Sequence, residues 1–434
     1  MDGKEYKEIY EKYGERMYSQ NTVKSVQRCY ISHENRKQAI VDSSKERRIT
    51  KKQAIYDISD FFNCLKRCYS GYDYFFQDEL CDIMQKTLIQ KIRKRQGSIS
   101  NQEFCYLLYK TLHNLINDSH FEIHVCGKSW RFFRKYIAYV TDIILKKVEC
   151  GYEVIRKNSF FDRGYIFEEK EVQNYLIPTM YVSNDVSIKD TCYLLGKYTT
   201  EEVKEIVLAG KKVNLHKILS DTARQDTNER IIQKKDYVIV NHKTYSMPWN
   251  ETLLEEFYQD GVNCSKWNHV ILNLVGNEGG SSDYPERFYE GLAGIEDTNF
   301  LGAYLPFPEN IQDGMKKYEL HYPNCTVETK RSFQGTIYVV MNKGTASSAE
   351  MAVSLAHSIK NAIIVGSGSS GCTNFGNCML YQLPYSKILF CYGNRVFHHE
   401  KFNEGKGFLP DFWIDDVDPV RVVEQFLEKK MSVV

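Results

Sequence analysis

The spacing of apolar residues along the chain falls into successive regimes. Residues 1 to about 50 are polar and charged with few apolar anchors, a pattern that suits either an extended arm or an extra helix. Over 53–68, Ile55, Ile58, Phe62 and Leu65 recur at helical spacing, with Gly71 as a stop. Over 77–95, Leu80, Met84, Leu88 and Ile92 do the same before Gly97. Ser100 and Glu103 form a capping-box pattern ahead of Phe104, Leu107, Leu108, Leu112 and Leu115. From His120 to about Tyr245 the signal turns to short β-branched and aromatic runs at 121–125, 136–144, 152–155 and 237–240, with one short helix expected at 200–209. Beyond Tyr245 strands and helices alternate. Helices are expected at 249–258 and 284–292, buried strands at 269–275 and 336–341, a helix carrying Met351, Val353, Leu355 and Ile359, and a strand at 362–365. Strands at 379–383 and 388–391 follow, then a closing helix with Asp418 as N-cap and Pro419 at its first position. Strand, turn, helix, strand implies a parallel layer. The expected architecture is α+β and multidomain: a helical region over 1–119, a β-rich middle over 120–245 and an α/β core over 246–434.

Composition narrows the function classes. With 42% hydrophobic and 26% charged residues in 434, this is an ordinary water-soluble composition with ample material for a core. A net charge of +1 offers no electrostatic pull toward nucleic acid or acidic lipid, and the basic run 91–95 reads as a solvated helix end. No apolar run is long enough to span a bilayer, and the charged N-terminal stretch is unlike a signal peptide. The 13 cysteines are scattered without regular spacing, which fits reduced thiols and a cytoplasmic location.

Candidate chemistry gathers at turns. Ser347 and Ser348 stand between a buried strand and the positive end of the following helix, where a developing anion is stabilised. The plain alternative is that Thr345 or one of the serines caps that helix. The loop 276–280 follows a strand and lets backbone approach a ligand, but lacks the Lys and Ser/Thr of a phosphate loop. Asn117-Asp118-Ser119-His120 joins a helix to a strand, a good place for a side chain to face a cleft. Cys372, Cys378, His398 and His399 offer metal-binding types, although scattered thiols more often serve as core residues, and no metal is expected.

Four stretches in order, NLVGNEGG, GTASSAE, VGSGSSG and NEGKGFLPD, resemble the DLRxNxGG, TASxxE, VGExTxG and EGxGxxPD segments of the tail-specific and tricorn-type serine peptidases. The resemblance covers about 268–414 and extends more weakly to helices 53–117 and to the DSH stretch, which resembles the family's DxH motif. It implies a ClpP/crotonase-like core, peptide or unfolded-protein substrates and no cofactor. By the same resemblance Ser347, three residues before Glu350, is the nucleophile, and Ser348 and Gly280 supply the oxyanion donors. One branch of the family uses a Ser-Lys dyad; Cys372 stands where that lysine would fall. The tricorn-like branch uses a histidine and a glutamate, which His120 and Glu404 match, with Ser119 between them. Imidazole chemistry agrees: a serine hydroxyl needs a base near neutral pH, and the base needs an orienting group. The chain departs from the pattern at Asn273 and Val275, in place of Asp and Arg, and at Ser367, in place of Glu. No clear PDZ signature is present, and the oligomeric state is not indicated. The alternatives are a peptide-binding protein that does not cut, and an acyl hydrolase acting on esters.

Overall fold

The computed structural model describes residues 3–20, 23, 29–76, 78–156, 158–183, 187, 190–295, 300–322 and 333–432. Two compact units are each assembled from three separate stretches of chain. One comprises Met1–Arg134, Phe300–Pro323 and Cys372–Gly405; the other comprises Lys135–Asn299, Asn324–Gly371 and Lys406–Val434. The fold is α+β. No described helix is long and apolar enough to cross a membrane.

In the first unit the expected helices form at Lys51–Cys68, Asp78–Lys94 and Asn101–Leu112. Thr50 caps the first with a full capping box, and the Ser100 side chain accepts from Glu103 N at the start of the third. The undecided first fifty residues contain helices Gly3–Gly14 and Arg36–Ser43. Ile58, Phe61, Leu65, Leu88, Ile92, Phe104 and Leu108 are buried on the inward faces of the three main helices. They pack with Phe121, Ile123 and Phe390 of a six-stranded sheet. Each such side chain contributes about 1.5–3 kcal/mol by leaving water. The sheet runs Glu319–His321, Phe300–Tyr304, Leu389–His399, Asp118–Val125 and Lys128–Phe132, with Phe375–Gln382 also on Leu389–His399.

The second unit holds a twelve-stranded sheet. Val238–Asn241, His269–Asn273, Thr336–Met341, Ala362–Gly366 and Phe412–Trp413 pair in parallel in that order. An antiparallel part containing Leu176–Thr179, Cys192–Thr199, Ile137–Val148 and Gly151–Arg156 continues it. Ile337, Tyr338, Val339, Val340 and Met341 are all buried, as expected of a central parallel strand covered on both faces. Helices Glu251–Cys264, Asp283–Ala293, Ser348–Ala356 and Pro419–Ser432 accompany the parallel part. The closing helix begins at Pro419, with Asp418 Oδ1 accepting from Arg421 N at 3.0 Å. The short helix expected over 200–209 does not form. Glu205–Leu208 is a strand paired with Lys211–Asn214 across a two-residue turn, its alternating Ile206 and Leu208 buried. The period-two burial won over a charged run with adequate helix propensity.

Candidate active site

The carboxyl ends of the parallel strands build the turn that carries Ser347. Asn342, at the end of Thr336–Met341, is wholly buried and uses both ends of its amide. Oδ1 accepts from Gly276 N at 3.0 Å and Gly344 N at 2.9 Å, while Nδ2 donates to Ser220 O at 3.0 Å. Thr345 does not cap the helix. Its hydroxyl accepts from Asn342 N and donates to Leu274 O at 2.8 Å, tying the turn to the neighbouring strand end. Asn273 accepts from Val275 N at 3.1 Å and donates to Asn241 Oδ1 at 2.9 Å. An amide therefore does here what a carboxylate cannot, by donating across to the next strand.

Ser347 ends this turn with φ 54° and ψ −123°, and helix Ser348–Ala356 starts at the next residue. A non-glycine residue in that conformation costs of order 1–3 kcal/mol and is held by its surroundings. The surroundings are on hand. Ser347 N donates to Glu350 Oε2 at 3.2 Å, and Ala346 N donates to Asn277 O at 2.9 Å. The other oxygen of Glu350 accepts from Ser369 Oγ at 2.5 Å and Gly371 N at 2.7 Å, so this buried carboxylate fastens the serine turn to the loop after Ala362–Gly366. Lys343, buried beside it, donates to Ser369 O, Lys406 O and the Tyr198 hydroxyl. Burial pulls its ammonium down to about 7.

Gly279 and Gly280 pass close against the same turn. A Cβ on Gly279 would meet Ala346 O at 2.6 Å and Ser347 Cβ at 2.8 Å; one on Gly280 would meet Tyr245 backbone at 2.0 Å. Both have positive φ, 93° and 140°. Gly280 O accepts from Ser348 Oγ at 2.6 Å. The nucleophile candidate Ser347 and the oxyanion candidates Ser348 and Gly280 thus share one corner of the second unit.

The other three candidates share one corner of the first unit. His120 lies in strand Asp118–Val125, three residues into an element that begins earlier than its sequence pattern suggests. The pairing with Lys128–Phe132 shifts register between Asp118 and Glu122, so Ser119, His120 and Phe121 occupy a bulge. Bulges re-aim side chains away from the regular alternation. Glu404 receives four donors: Ser119 Oγ at 2.5 Å and Ser119 N at 3.0 Å on Oε1, Thr373 N at 3.2 Å and Asn374 N at 2.9 Å on Oε2. Even so, burial, and next the charge of Asp118, push it up to about 7. Burial likewise pushes Asp118 up to about 6. Asp118 Oδ1 accepts from His120 N and Oδ2 from the Tyr69 hydroxyl, both at 2.8 Å.

Sequence reasoning missed the immediate neighbour of the His120 ring. Cys372 Sγ lies 3.3 Å from Nε2, while Nδ1 is shielded from solvent and makes no hydrogen bond among the described residues. Burial alone would lower the imidazole pKa. Cys372, with help from Cys378 and Asp118, outweighs it and holds His120 well above the usual histidine range. Two hundred and fifty-two residues separate His120 from Cys372, and no local pattern marks the pair. Ser367 Oγ donates to Asp221 Oδ1.

Residues 248–414 match the family model of peptidase family S41, which indicates a serine-type peptidase, a hydrolase. No curated protein matches the chain. Among solved structures, a Parabacteroides merdae protein is similar over 88% of this chain and 95% of its own, at 11% identity and TM-score 0.43. Mature CPAF complexed with lactacystin is similar over 88% and 97%, at 14% and 0.43. The photosystem II D1 C-terminal processing protease is similar over 86% and 97%, at 11% and 0.39. Likenesses this slight assign no role to any residue of this chain.

Proposed function

We propose that the chain hydrolyses peptide bonds with Ser347 as nucleophile, His120 as general base and Ser119 with Glu404 as the orienting relay. The observation that carries the reading is the backbone of Ser347. A serine in a strained strand-to-helix turn, over-determined by Glu350 and Asn277, is how a fold presents a hydroxyl at a helix N-terminus. His120 takes the Ser347 hydroxyl proton as Oγ bonds to the scissile carbonyl carbon. The N–H groups of Ser348 and Gly280 receive the oxyanion, each such donor contributing about 2.7–4 kcal/mol. The proton passes to the departing amine as the C–N bond breaks, and water then cleaves the acyl ester by the reverse route. The Glu404–Ser119 pair, linked by two hydrogen bonds, stiffens the bulge on which the base stands. Substrates on this reading are peptides or unfolded protein, within the tricorn-like branch of the family.

A fluorophosphonate probe on the intact chain tests the assignment. The expected result is a single adduct mapped to Ser347, abolished in Ser347→Ala and His120→Ala, together with hydrolysis of a peptide panel. Labelling elsewhere, or none in folded wild-type protein, overturns it. Turnover of esters without peptides would place the same residues in an acyl hydrolase.

A further inference from the structure

Cysteines that look scattered in sequence converge in the first unit. Helix Lys51–Cys68 presents Cys64 and Cys68 one turn apart on a single face. Cys29 reaches them from outside the helix. The three sulfurs lie within 4.8 Å of one another, each residue is at most 3% exposed, and each is a reduced thiol. Cys29 is pinned where it stands. Its carbonyl accepts from the Tyr392 hydroxyl at 2.6 Å, and two residues on, Ile31 N donates to Leu380 O at 2.9 Å. A single buried cysteine behaves as a small apolar side chain; three sulfurs turned toward a common point form a soft donor set.

We propose that Cys29, Cys64 and Cys68 bind a thiophilic d10 cation, zinc(II) or copper(I), as a structural site. Zinc–sulfur bonds of about 2.3 Å in a tetrahedral arrangement place sulfurs about 3.8 Å apart, so the trio closes on an ion by side-chain rotation alone. Copper(I) is satisfied by three sulfurs. Zinc(II) takes a fourth ligand, and the Tyr392 hydroxyl, in hydrogen-bond reach of Cys64, borders the set. Each thiol gives up its proton to solvent as its sulfur bonds the metal. Three thiolates around zinc(II) leave one excess negative charge, and Arg67 supplies a positive charge beside Cys29. The site grips the end of the helix from which Tyr69 departs, and Tyr69 holds Asp118, which in turn holds the His120 backbone. Loading therefore stabilises the arm that carries His120, although the site stands whether or not that residue is a base.

The full chain, purified reduced and without chelator, is loaded separately with zinc(II) and copper(I), desalted and assayed for metal. The expected result is about one ion retained per chain from one of the two, a raised Tm, and protection of the three cysteines from alkylation as mapped by mass spectrometry. Zinc retention with no copper retention identifies the ion as zinc, and the converse as copper. Cys64→Ser combined with Cys68→Ser loses the ion. Should that variant fail to fold, cobalt(II)-loaded wild-type protein shows a thiolate-to-cobalt charge-transfer band. Retention of neither ion, unchanged retention in the folded variant, unprotected cysteines, a missing cobalt band in a protein that retains zinc, or a disulfide within the trio each overturns the proposal.

Discussion

Cys372 Sγ and His120 Nε2 lie 3.3 Å apart, and Cys372 leads the groups that together outweigh burial in setting the charge of the ring. A general base must be neutral to accept a proton. Its raised pKa therefore places the acid limb of any His120-dependent reaction above the ordinary histidine range. Cys372→Ala removes the group that raises it most and leaves the lowering effect of burial less opposed. The probe-labelling rate of Ser347 plotted against pH is expected to show its acid limb at lower pH in this variant. An unshifted limb refutes the coupling.

The strain at Ser347 is separable from its chemistry. Glycine adopts φ 54° without the Cβ penalty that serine and alanine both bear. Ser347→Gly is expected to be more stable than Ser347→Ala by about 1 kcal/mol, with both unlabelled by the probe. Paired denaturant titrations of the two variants measure the difference.

Gly279 leaves no room for a side chain beside the serine turn. Gly279→Ala puts a Cβ 2.6 Å from Ala346 O, so the turn carrying Ser347 has to move. A displacement near 1 Å costs about 10²-fold in rate. Labelling is expected to fall by that order while the protein stays folded. Gly97→Ala is the control, because it also has positive φ but meets nothing within 4 Å, and its labelling rate stays at the wild-type level.

Glu404 and Asp118 have folded pKa values above their unfolded ones, about 7 and about 6. Folding therefore favours their protonated forms. Their stabilising contribution is complete below about pH 4 and disappears as pH rises through 6 and 7. Wild-type Tm is expected to decline from pH 5 to 8. Glu404→Gln, which cannot ionise, flattens that decline. Thermal melts across the range distinguish the two, and equal slopes refute the assignment.

Local pattern was enough for much of this protein. Ile58, Leu88 and Leu108 at helical spacing specify helices whatever surrounds them, and Ser100 with Glu103 starts one of them. The run Thr336–Met341 is apolar on both sides because a central parallel strand is covered on both faces. Ser347, Ser348 and Gly280 share an edge because the strand ends of one parallel sheet bring them there. Where charge pattern and alternation competed, at 200–209, the pairing partner Lys211–Asn214 decided, and a partner strand is not a property of the segment itself.

What the sequence by itself determined is therefore the main helices, the buried parallel strands, the serine turn and the residue types suited to acyl chemistry, because these depend on neighbours a few positions away. Only the tertiary structure decided the left-handed backbone of Ser347, the bulge that carries His120, the thiol beside its ring and the meeting of Cys29 with Cys64 and Cys68. Each of those arises from packing between segments tens to hundreds of residues apart. Such contacts form only after loop closure, and periodicity along the chain carries no record of them.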